Sequence, residues 1–193
     1  MTVKRPYVMR ARAEASEETR RRIIAGAIAV YYERPGPEIT LEQIAERAGV
    51  SVQTILRAFG SRALLLEAAG RLARAEIAEE RKAPPGDVTA AIRALFDHYE
   101  RRGPSVLRLL AQETITGAPD LSAGRHEHRR WIQEVFGPQL RQRPLGARES
   151  LVDQLVVATD VYMWKLLCVD RGLERGQAEA RVRKMIKALL GAG

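Results

Sequence analysis

The sequence predicts an all-α protein of about nine helices. Of its 193 residues, 46% are hydrophobic and 29% are charged, and Asn is absent. Helix formers such as Leu, Ala, Glu and Arg are abundant, whereas only three Phe are present, so the composition favours helices over strands. Gly and Pro interrupt the apolar periodicity at short intervals, which indicates several helices joined by turns.

The charge balance favours an anionic partner. The formal net charge is +8, which suits nucleic acid, an anionic membrane surface or an acidic protein. Cys168 is the sole cysteine, so the sequence offers neither a disulfide framework nor a thiolate zinc site, as is typical of a reducing cytosol. No apolar stretch approaches the roughly 18–20 uncharged residues that a membrane helix requires. We therefore expect a soluble cytoplasmic protein with no membrane partner.

The N-terminal quarter begins with a basic segment. Residues 1–15 show little apolar periodicity and are expected to form a mobile basic arm. Ser16 is a suitable N-cap for the first helix, because apolar residues between positions 24 and 31 follow at the spacing of one helix face. The Pro-Gly-Pro run at residues 35–37 ends this helix.

Two short helices follow, each with its own cap. Thr40 and Gln43 have the spacing of a capping box, in which each side chain accepts a hydrogen bond from the backbone of the other residue. Gly49 ends this second helix within three turns. Ser51 is the N-cap of a third helix, which Gly60 ends.

This helix pair satisfies the requirements of a helix-turn-helix. Ala45 is small where the two helices cross, and Gly49 can adopt the positive φ of the tight turn. A short helix pair inside an ordinary bundle would share some of these features, but not the caps at both helix starts. The shared apolar seam is Ile44, Ala48, Val50, Ile55 and Ala58, which leaves Val52, Gln53, Thr54, Leu56 and Arg57 on the side that enters the major groove in such motifs.

Residues 39–65, ITLEQIAERAGVSVQTILRAFGSRALL, resemble the signature of the TetR family of transcriptional regulators. The resemblance implies a dimeric repressor that a small ligand releases from its operator. It also implies that Thr40 contacts phosphate, that Ser51, Gln53, Thr54 and Arg57 are the polar recognition residues, and that Arg62 binds phosphate. Leu56 and Ala58 depart from the family pattern, which commonly has Tyr and His at these positions.

The chemistry of base readout agrees with this interpretation. Gln53 can pair with adenine and Arg57 can bind guanine bidentately, while Val52, Thr54 or Leu56 can contact a thymine methyl group. The run of arginines at residues 20–22 is expected to add mainly non-specific, salt-sensitive affinity. The predicted DNA-binding residues are Thr40, Ser51, Val52, Gln53, Thr54, Leu56, Arg57 and Arg62.

The predicted domains are a basic arm at residues 1–15, a helix-turn-helix domain at 16–61, and an effector-binding and dimerisation domain at 62–193. A fourth helix is expected to run from Arg62 to about Lys82, and residues 83–86, Ala-Pro-Pro-Gly, form the strongest break. Gly and Pro then separate about five further helices. Their expected ranges are 87–101, 104–116, 120–140, 147–171 and 177–190.

The last two predicted helices are the candidates for a dimer interface. One helix-turn-helix reads only a few base pairs, so a double-stranded operator with two half-sites requires a homodimer. A helix that is apolar around much of its circumference is expected to be buried on two sides. The apolar residues are Leu151, Leu155, Val156, Ala158, Tyr162, Met163, Leu166 and Val169, followed by Val182, Met185, Ile186 and Leu189.

Aromatic residues in the middle helices suggest a cavity for a small, largely apolar or aromatic effector, as the family resemblance implies. Plain core packing is the alternative for each of them. The candidate lining residues are Phe96, Tyr99, Trp131, Phe136, Tyr162 and Met163.

The remaining patterns carry no catalytic or metal chemistry. His126 and His128 lie two residues apart on a predicted helix and would point in different directions, so no metal site is expected. The sequence has no hydrolase elbow, Walker loop or dinucleotide fingerprint. We therefore expect a non-enzymatic protein without a cofactor. The competing hypothesis is a small-molecule-binding helical protein, or an enzyme, whose helix-turn-helix is incidental.

Overall fold

A computed structural model describes residues 4–33, 39–117 and 121–191. Within these ranges the chain forms ten α-helices and no strand, which confirms the all-α prediction. The last turn of α9 continues as a π-helical segment, Lys165–Asp170. The helices are α1 (Lys4–Glu33), α2 (Leu41–Ala48), α3 (Val52–Phe59), α4 (Arg62–Glu80), α5 (Val88–Thr116), α6 (Ser122–Val135), α7 (Gly137–Arg141), α8 (Leu145–Ala158), α9 (Val161–Trp164) and α10 (Arg175–Gly191).

The chain divides into two compact units, Met1–Ala75 and Glu76–Gly193. The division therefore lies within α4, whereas the sequence placed it at residues 61 and 62. Leu65 and Ala69 of α4 are buried in the core of the N-terminal unit, which explains why the first half of this helix belongs there. The rest of that core comes from α1, α2 and α3 and from Ile39, which precedes α2.

Helix α1 is longer than predicted. It begins at Lys4, so Ser16 lies inside it instead of capping its start, and the mobile arm expected at residues 1–15 is largely helical. Alanines and charged helix formers occupy this stretch, and Arg10 Nε donates to Glu14 Oε1 at 3.0 Å, one turn away. The Pro-Gly-Pro run at 35–37 lies outside the described residues.

Helix α5 is continuous through Pro104, although the sequence predicted a break there. A proline in a helix interior removes one backbone donor and bends the helix, but it does not have to end it when tertiary packing holds both sides. Gly103 supplies that packing, because a Cβ built on it would lie 2.8 Å from Cζ3 of the buried Trp164.

Two helices predicted as continuous are divided. The segment expected at 120–140 breaks at Phe136 into α6 and α7. The segment expected at 147–171 breaks at Thr159 and Asp160 into α8 and α9, and the Asp160 carboxylate caps α9 by accepting from Tyr162 N at 2.9 Å. The core of the C-terminal unit draws on α5 to α10, with Phe96, Leu95, Ile132, Phe136, Leu155, Val182 and Ile186 almost fully buried.

Candidate nucleic-acid interface

Helices α2 and α3 form the predicted helix-turn-helix, and both expected caps are present. Thr40 N donates to Gln43 Oε1 at 3.0 Å, and Gln43 N donates to Thr40 Oγ1 at 3.3 Å, which completes the capping box. Gly49 adopts a left-handed conformation with φ of 63°, as the tight turn requires. These local interactions set the direction in which α3 leaves the turn.

The buried face of the helix pair packs against α1. Ile44, Ala45 and Ala48 of α2 and Ile55 of α3 are buried, in agreement with the predicted seam, while Val50 and Ala58 are only half-buried. Gly26 of α1 allows a close approach, because a Cβ built on it would lie 3.3 Å from Ala48 Cβ. This contact was not predicted from the sequence.

The opposite face of α3 is polar and exposed. Gln53 and Arg57 are exposed, and their side chains form no hydrogen bond with any residue in the described part of the chain. Leu56 is also exposed, whereas Val52 and Thr54 are half-buried. Gln53 and Arg57 are thus the recognition-helix residues most available for base contacts.

The two hydroxyl groups of the predicted recognition set are engaged with one another. Ser51 Oγ accepts from Thr54 N at 3.1 Å and lies 2.9 Å from Thr54 Oγ1. Ser51 therefore caps α3, which orients the helix. The sequence predicted that Ser51 caps α3, but it did not predict the contact between the Ser51 and Thr54 hydroxyl groups.

Arg62 connects the starts of two helices. It is the first residue of α4, and its Nε donates to the carbonyl oxygen of Ile39 at 2.7 Å. Ile39 directly precedes Thr40, so the two predicted phosphate-binding residues are held at one place in the N-terminal unit.

Arg20 has a role that the sequence analysis missed. Its Nη1 donates to the carbonyl oxygen of Ala58, and its guanidinium carbon lies 4.2 Å from the centre of the Phe59 ring. Arg20 therefore holds the C-terminal end of α3 against α1 rather than acting as a loose basic side chain. Periodicity offered a signal for this, because Arg20 lies three residues before the buried Ile23 and seven before Ala27.

The aromatic residues predicted to line an effector cavity do not form one group. Phe96, Tyr99, Trp131 and Phe136 are buried in the core of the C-terminal unit. Tyr162 is exposed instead, because it lies on the outward face of α9 next to its N-cap.

The polar atoms of the buried aromatic residues are already bonded. Tyr99 OH donates to the Thr159 carbonyl oxygen at 2.8 Å, and Trp131 Nε1 donates to the Arg81 carbonyl oxygen at 2.8 Å. Burial raises the pKa of Tyr99 above its ordinary value, so its hydroxyl remains protonated and continues to donate.

A polar cluster of the buried His98 with the half-buried Glu80 and Arg102 was not predicted in the C-terminal unit. Glu80 Oε1 accepts from Arg102 Nη2 at 2.7 Å, and its Oε2 lies 2.8 Å from His98 Nδ1. Burial acts to raise the pKa of Glu80, but the hydrogen bonds from Arg102 and His98 outweigh it and hold the pKa at about 2. Burial lowers the pKa of His98 to about 4, so His98 is neutral at pH 7 and donates from Nδ1.

The two histidines considered for metal binding point to different partners. His126 Nδ1 lies 2.7 Å from the Ser122 carbonyl oxygen, whereas His128 Nδ1 lies 2.6 Å from Arg81 Nη2. No group of three metal-ligating side chains occurs in the parts of the chain that the structure covers.

A capped helix pair with exposed polar groups on its second helix is typical of helix-turn-helix DNA-binding proteins. Residues 23–69 match the model of the family described as bacterial regulatory proteins, tetR family. Among solved structures, a tetR-family transcriptional regulator from Streptomyces coelicolor has the same fold, with a TM-score of 0.67 and 19% identity over 91% of this chain and 82% of that chain. A search of curated proteins finds no match.

Residues 23–69, which contain the helix-turn-helix, are thus similar to tetR-family regulatory proteins, and the chain shares the fold of one such regulator. This confirms the resemblance noted for residues 39–65. None of the described helices is both long and apolar enough to span a membrane.

Proposed function

We propose that this regulator is a homodimeric repressor that binds a palindromic operator and is released from it by a small effector. The exposed pair Gln53 and Arg57 on α3 carries the DNA-reading part of the proposal. Gln53 recognises adenine through N6 and N7, and Arg57 recognises guanine through O6 and N7. Thr40 and Arg62 bind phosphates and set the register of α3 on the duplex.

Replacing Arg57 and Arg62 separately tests these roles. Arg57→Ala should weaken binding to a duplex selected from random DNA by the wild-type protein, with a loss of about 1–3 kcal/mol that is absent for unrelated DNA. Arg62→Ala should weaken both to a similar extent, because it removes a phosphate contact and the hydrogen bond to Ile39. Titration of both duplexes at one salt concentration measures the difference, and equal losses for the two variants on both duplexes would refute the assignment.

An apolar stripe on α8, α9 and the π-helical segment that follows α9 supports the dimer. Val157, Tyr162, Leu166 and Val169 are between 48% and 66% exposed, and the last three follow one another along α9 and the π-helical segment. In contrast, Val182 and Ile186 of α10 are buried in their own core, and Met185 and Leu189 are half-buried. A partner subunit that covers the stripe would remove this apolar surface from water.

A charge placed in the stripe tests the interface. Leu166→Glu should convert the dimer into a monomer, because dimerisation would bury the new carboxylate without a partner. Ile115→Glu is the matched control, since Ile115 is an apolar side chain of α5 that is 82% exposed. Light scattering at micromolar concentration measures the mass. A wild-type monomer, or a Leu166→Glu dimer, would rule out this interface.

Release by an effector requires coupling to DNA. Helix α4 is the proposed lever, because it is continuous from Arg62 to Glu80 and so belongs to both compact units. The effector must favour a dimer whose recognition helices no longer match the half-site spacing. Distances between spin labels on the two α3 helices, measured with and without effector, test the mechanism. An unchanged distance would refute it.

A further inference from the structure

Arg81 carries a buried charge and forms no ion pair with any residue that the structure describes. This residue directly follows α4 and is only 7% exposed. Its Nη2 lies 2.6 Å from His128 Nδ1, and its guanidinium carbon lies 4.3 Å from the centre of the Trp131 ring. Its Nε is buried without a hydrogen-bond partner among the described residues.

The acidic groups near Arg81 do not neutralise it. Burial lowers the pKa of Arg81, while Tyr99 and Glu127 oppose this effect. Glu127 forms its ion pair with Arg130 instead. Arginine nevertheless remains protonated in proteins, so a full positive charge stays in the core.

The histidine beside Arg81 is neutral. Arginine can only donate, so His128 Nδ1 accepts from it and His128 Nε2 carries the proton. That proton is donated to Thr159 Oγ1 at 3.0 Å, and Thr159 Oγ1 donates to the Leu155 carbonyl oxygen at 2.7 Å. Burial, assisted by the charge of Arg81, lowers the pKa of His128 to about 3. His128 therefore orients Arg81 but supplies no negative charge.

The carboxylate of the neighbouring cluster is already used. Glu80 is bonded to both Arg102 and His98, and Arg102 also pairs with Glu76 at 3.2 Å. Neither carboxylate forms an ion pair with the Arg81 guanidinium. A buried charge without a counter-ion is strongly unfavourable, and contact with an aromatic ring compensates only part of that cost.

We propose that the effector carries an anionic group, a carboxylate in the simplest case, that forms an ion pair with the guanidinium of Arg81. The inference rests on the effector-binding role proposed above and narrows the chemistry of the effector from an apolar or aromatic molecule to an aromatic or aliphatic acid. Trp131 lies against Arg81, and its ring also packs against His128 and Phe136, so the guanidinium lies beside a group of aromatic side chains. The contact falls on the residue that follows α4, the proposed lever.

A surface groove of about 260 Å³ between α6 and α8 does not provide the same chemistry. Its arginines are paired with acids: Arg125 with Glu113 at 2.7 Å, and Arg129 with Asp153 at 2.5 Å and with Glu149. An anion in this groove would have to displace those carboxylates. Arg81 has none to displace.

Thermal unfolding of the full-length protein tests the proposal. The probes are benzoate, 2-naphthoate, octanoate and dodecanoate, each compared with its neutral amide at constant sodium concentration. One or more acids should raise the unfolding midpoint of the wild type, while the matching amide should not. In Arg81→Met, the acid should bind at least about thirtyfold more weakly, as expected when one member of a buried charge pair is removed. Arg93→Met is the control, because Arg93 is exposed on α5, and it should respond like the wild type.

The variant without any probe gives a second measurement. If Arg81 is retained for an anion, Arg81→Met should unfold at the same temperature as the wild type or higher, since it removes an uncompensated charge. A lower midpoint would mean that Arg81 serves the fold alone, and the proposal would be wrong. An equal response to acids and amides, or no response to any acid, would overturn it as well.

A DNA measurement separates this inference from the repressor proposal. Release of the selected duplex by a neutral molecule would refute the anionic effector but leave the repressor intact. A wild type that binds the acids but no duplex would refute the repressor and leave the anion site standing.

Discussion

Replacing Arg20 with Met tests how the recognition helix is held. The guanidinium of Arg20 donates to the Ala58 carbonyl oxygen and lies over the Phe59 ring at the C-terminal end of α3. Met keeps much of the side-chain length but has neither the charge nor the donor. The variant should therefore loosen α3 while leaving Gln53 and Arg57 in the chain.

The size of the effect follows from these two contacts. A hydrogen bond that involves a charged group contributes about 1.5–3 kcal/mol net, and a cation–π contact at a partly exposed site adds about 0.5–1 kcal/mol. Arg20 is half-buried, so we take the lower end, about 2 kcal/mol. If all of this energy is needed to hold α3 in its DNA-binding orientation, affinity for the selected duplex should fall by up to about thirtyfold.

Salt dependence distinguishes positioning from phosphate contact. Each phosphate contact contributes about 0.9 to the slope of log K against log salt concentration. Arg20→Met should weaken binding between 50 and 200 mM salt without changing this slope, and hydrogen exchange should become faster at the backbone amides near the end of α3. The control is Arg22→Met, in which Arg22 is exposed and forms no hydrogen bond with a described residue; its α3 amides should exchange as in the wild type. A slope reduced by about 0.9 in Arg20→Met, with unchanged exchange, would show that Arg20 contacts phosphate and that our reasoning is wrong.

Two further predictions concern the C-terminal unit. Gly103→Ala should lower the free energy of unfolding by about 1–2 kcal/mol, because its Cβ would lie 2.8 Å from Trp164 and overpacking outweighs the gain in helix propensity. A Cβ built on Gly124 has no neighbour within 4 Å, so Gly124→Ala should instead raise the free energy of unfolding by about 0.5 kcal/mol. Urea titrations measure the free energy of unfolding of both variants, and equal effects would refute the packing argument. The pKa of His128 is about 3 in the folded state, below its ordinary 6.5, so the unfolded chain binds the proton at a higher pH than the folded protein does. The free energy of unfolding should therefore fall as the pH drops from 6.5 towards 3, by up to about 1 kcal/mol per pH unit. His128→Gln should make this dependence shallower without abolishing it, because His98, with a pKa of about 4, contributes in the same direction. The same change at the exposed His126 should leave the dependence unchanged, and a flat wild-type profile would contradict the neutral histidine.

The parts of the site that depend on local chemistry were predictable. The capping box at Thr40, the cap at Ser51 and the left-handed Gly49 each involve residues close together in the chain, so their spacing in the sequence was enough. The family resemblance of residues 39–65 rests on the same pattern and was confirmed by the match to residues 23–69.

The features that depend on distant contacts were not predictable in this way. Pro104 was interpreted as a break because the local rule holds for an isolated helix, but packing of Gly103 against Trp164 accompanies a continuous α5. The partner of Arg81, His128, lies 47 residues away in the chain. Nothing in the spacing of these two residues indicates that their side chains meet.

Arg57 and Arg81 differ in burial, and this difference decides which of the two side chains implies a ligand. Arg57 forms no hydrogen bond with a described residue, but it is exposed and water solvates its charge, so its availability for guanine costs the folded protein little. Arg81 forms no ion pair with a described residue either, but it is buried, so its charge destabilises the folded state unless an anion pairs with it. The free energy of pairing Arg81 can therefore be coupled to a change in conformation, whereas the pairing of Arg57 only needs to distinguish one DNA sequence from another.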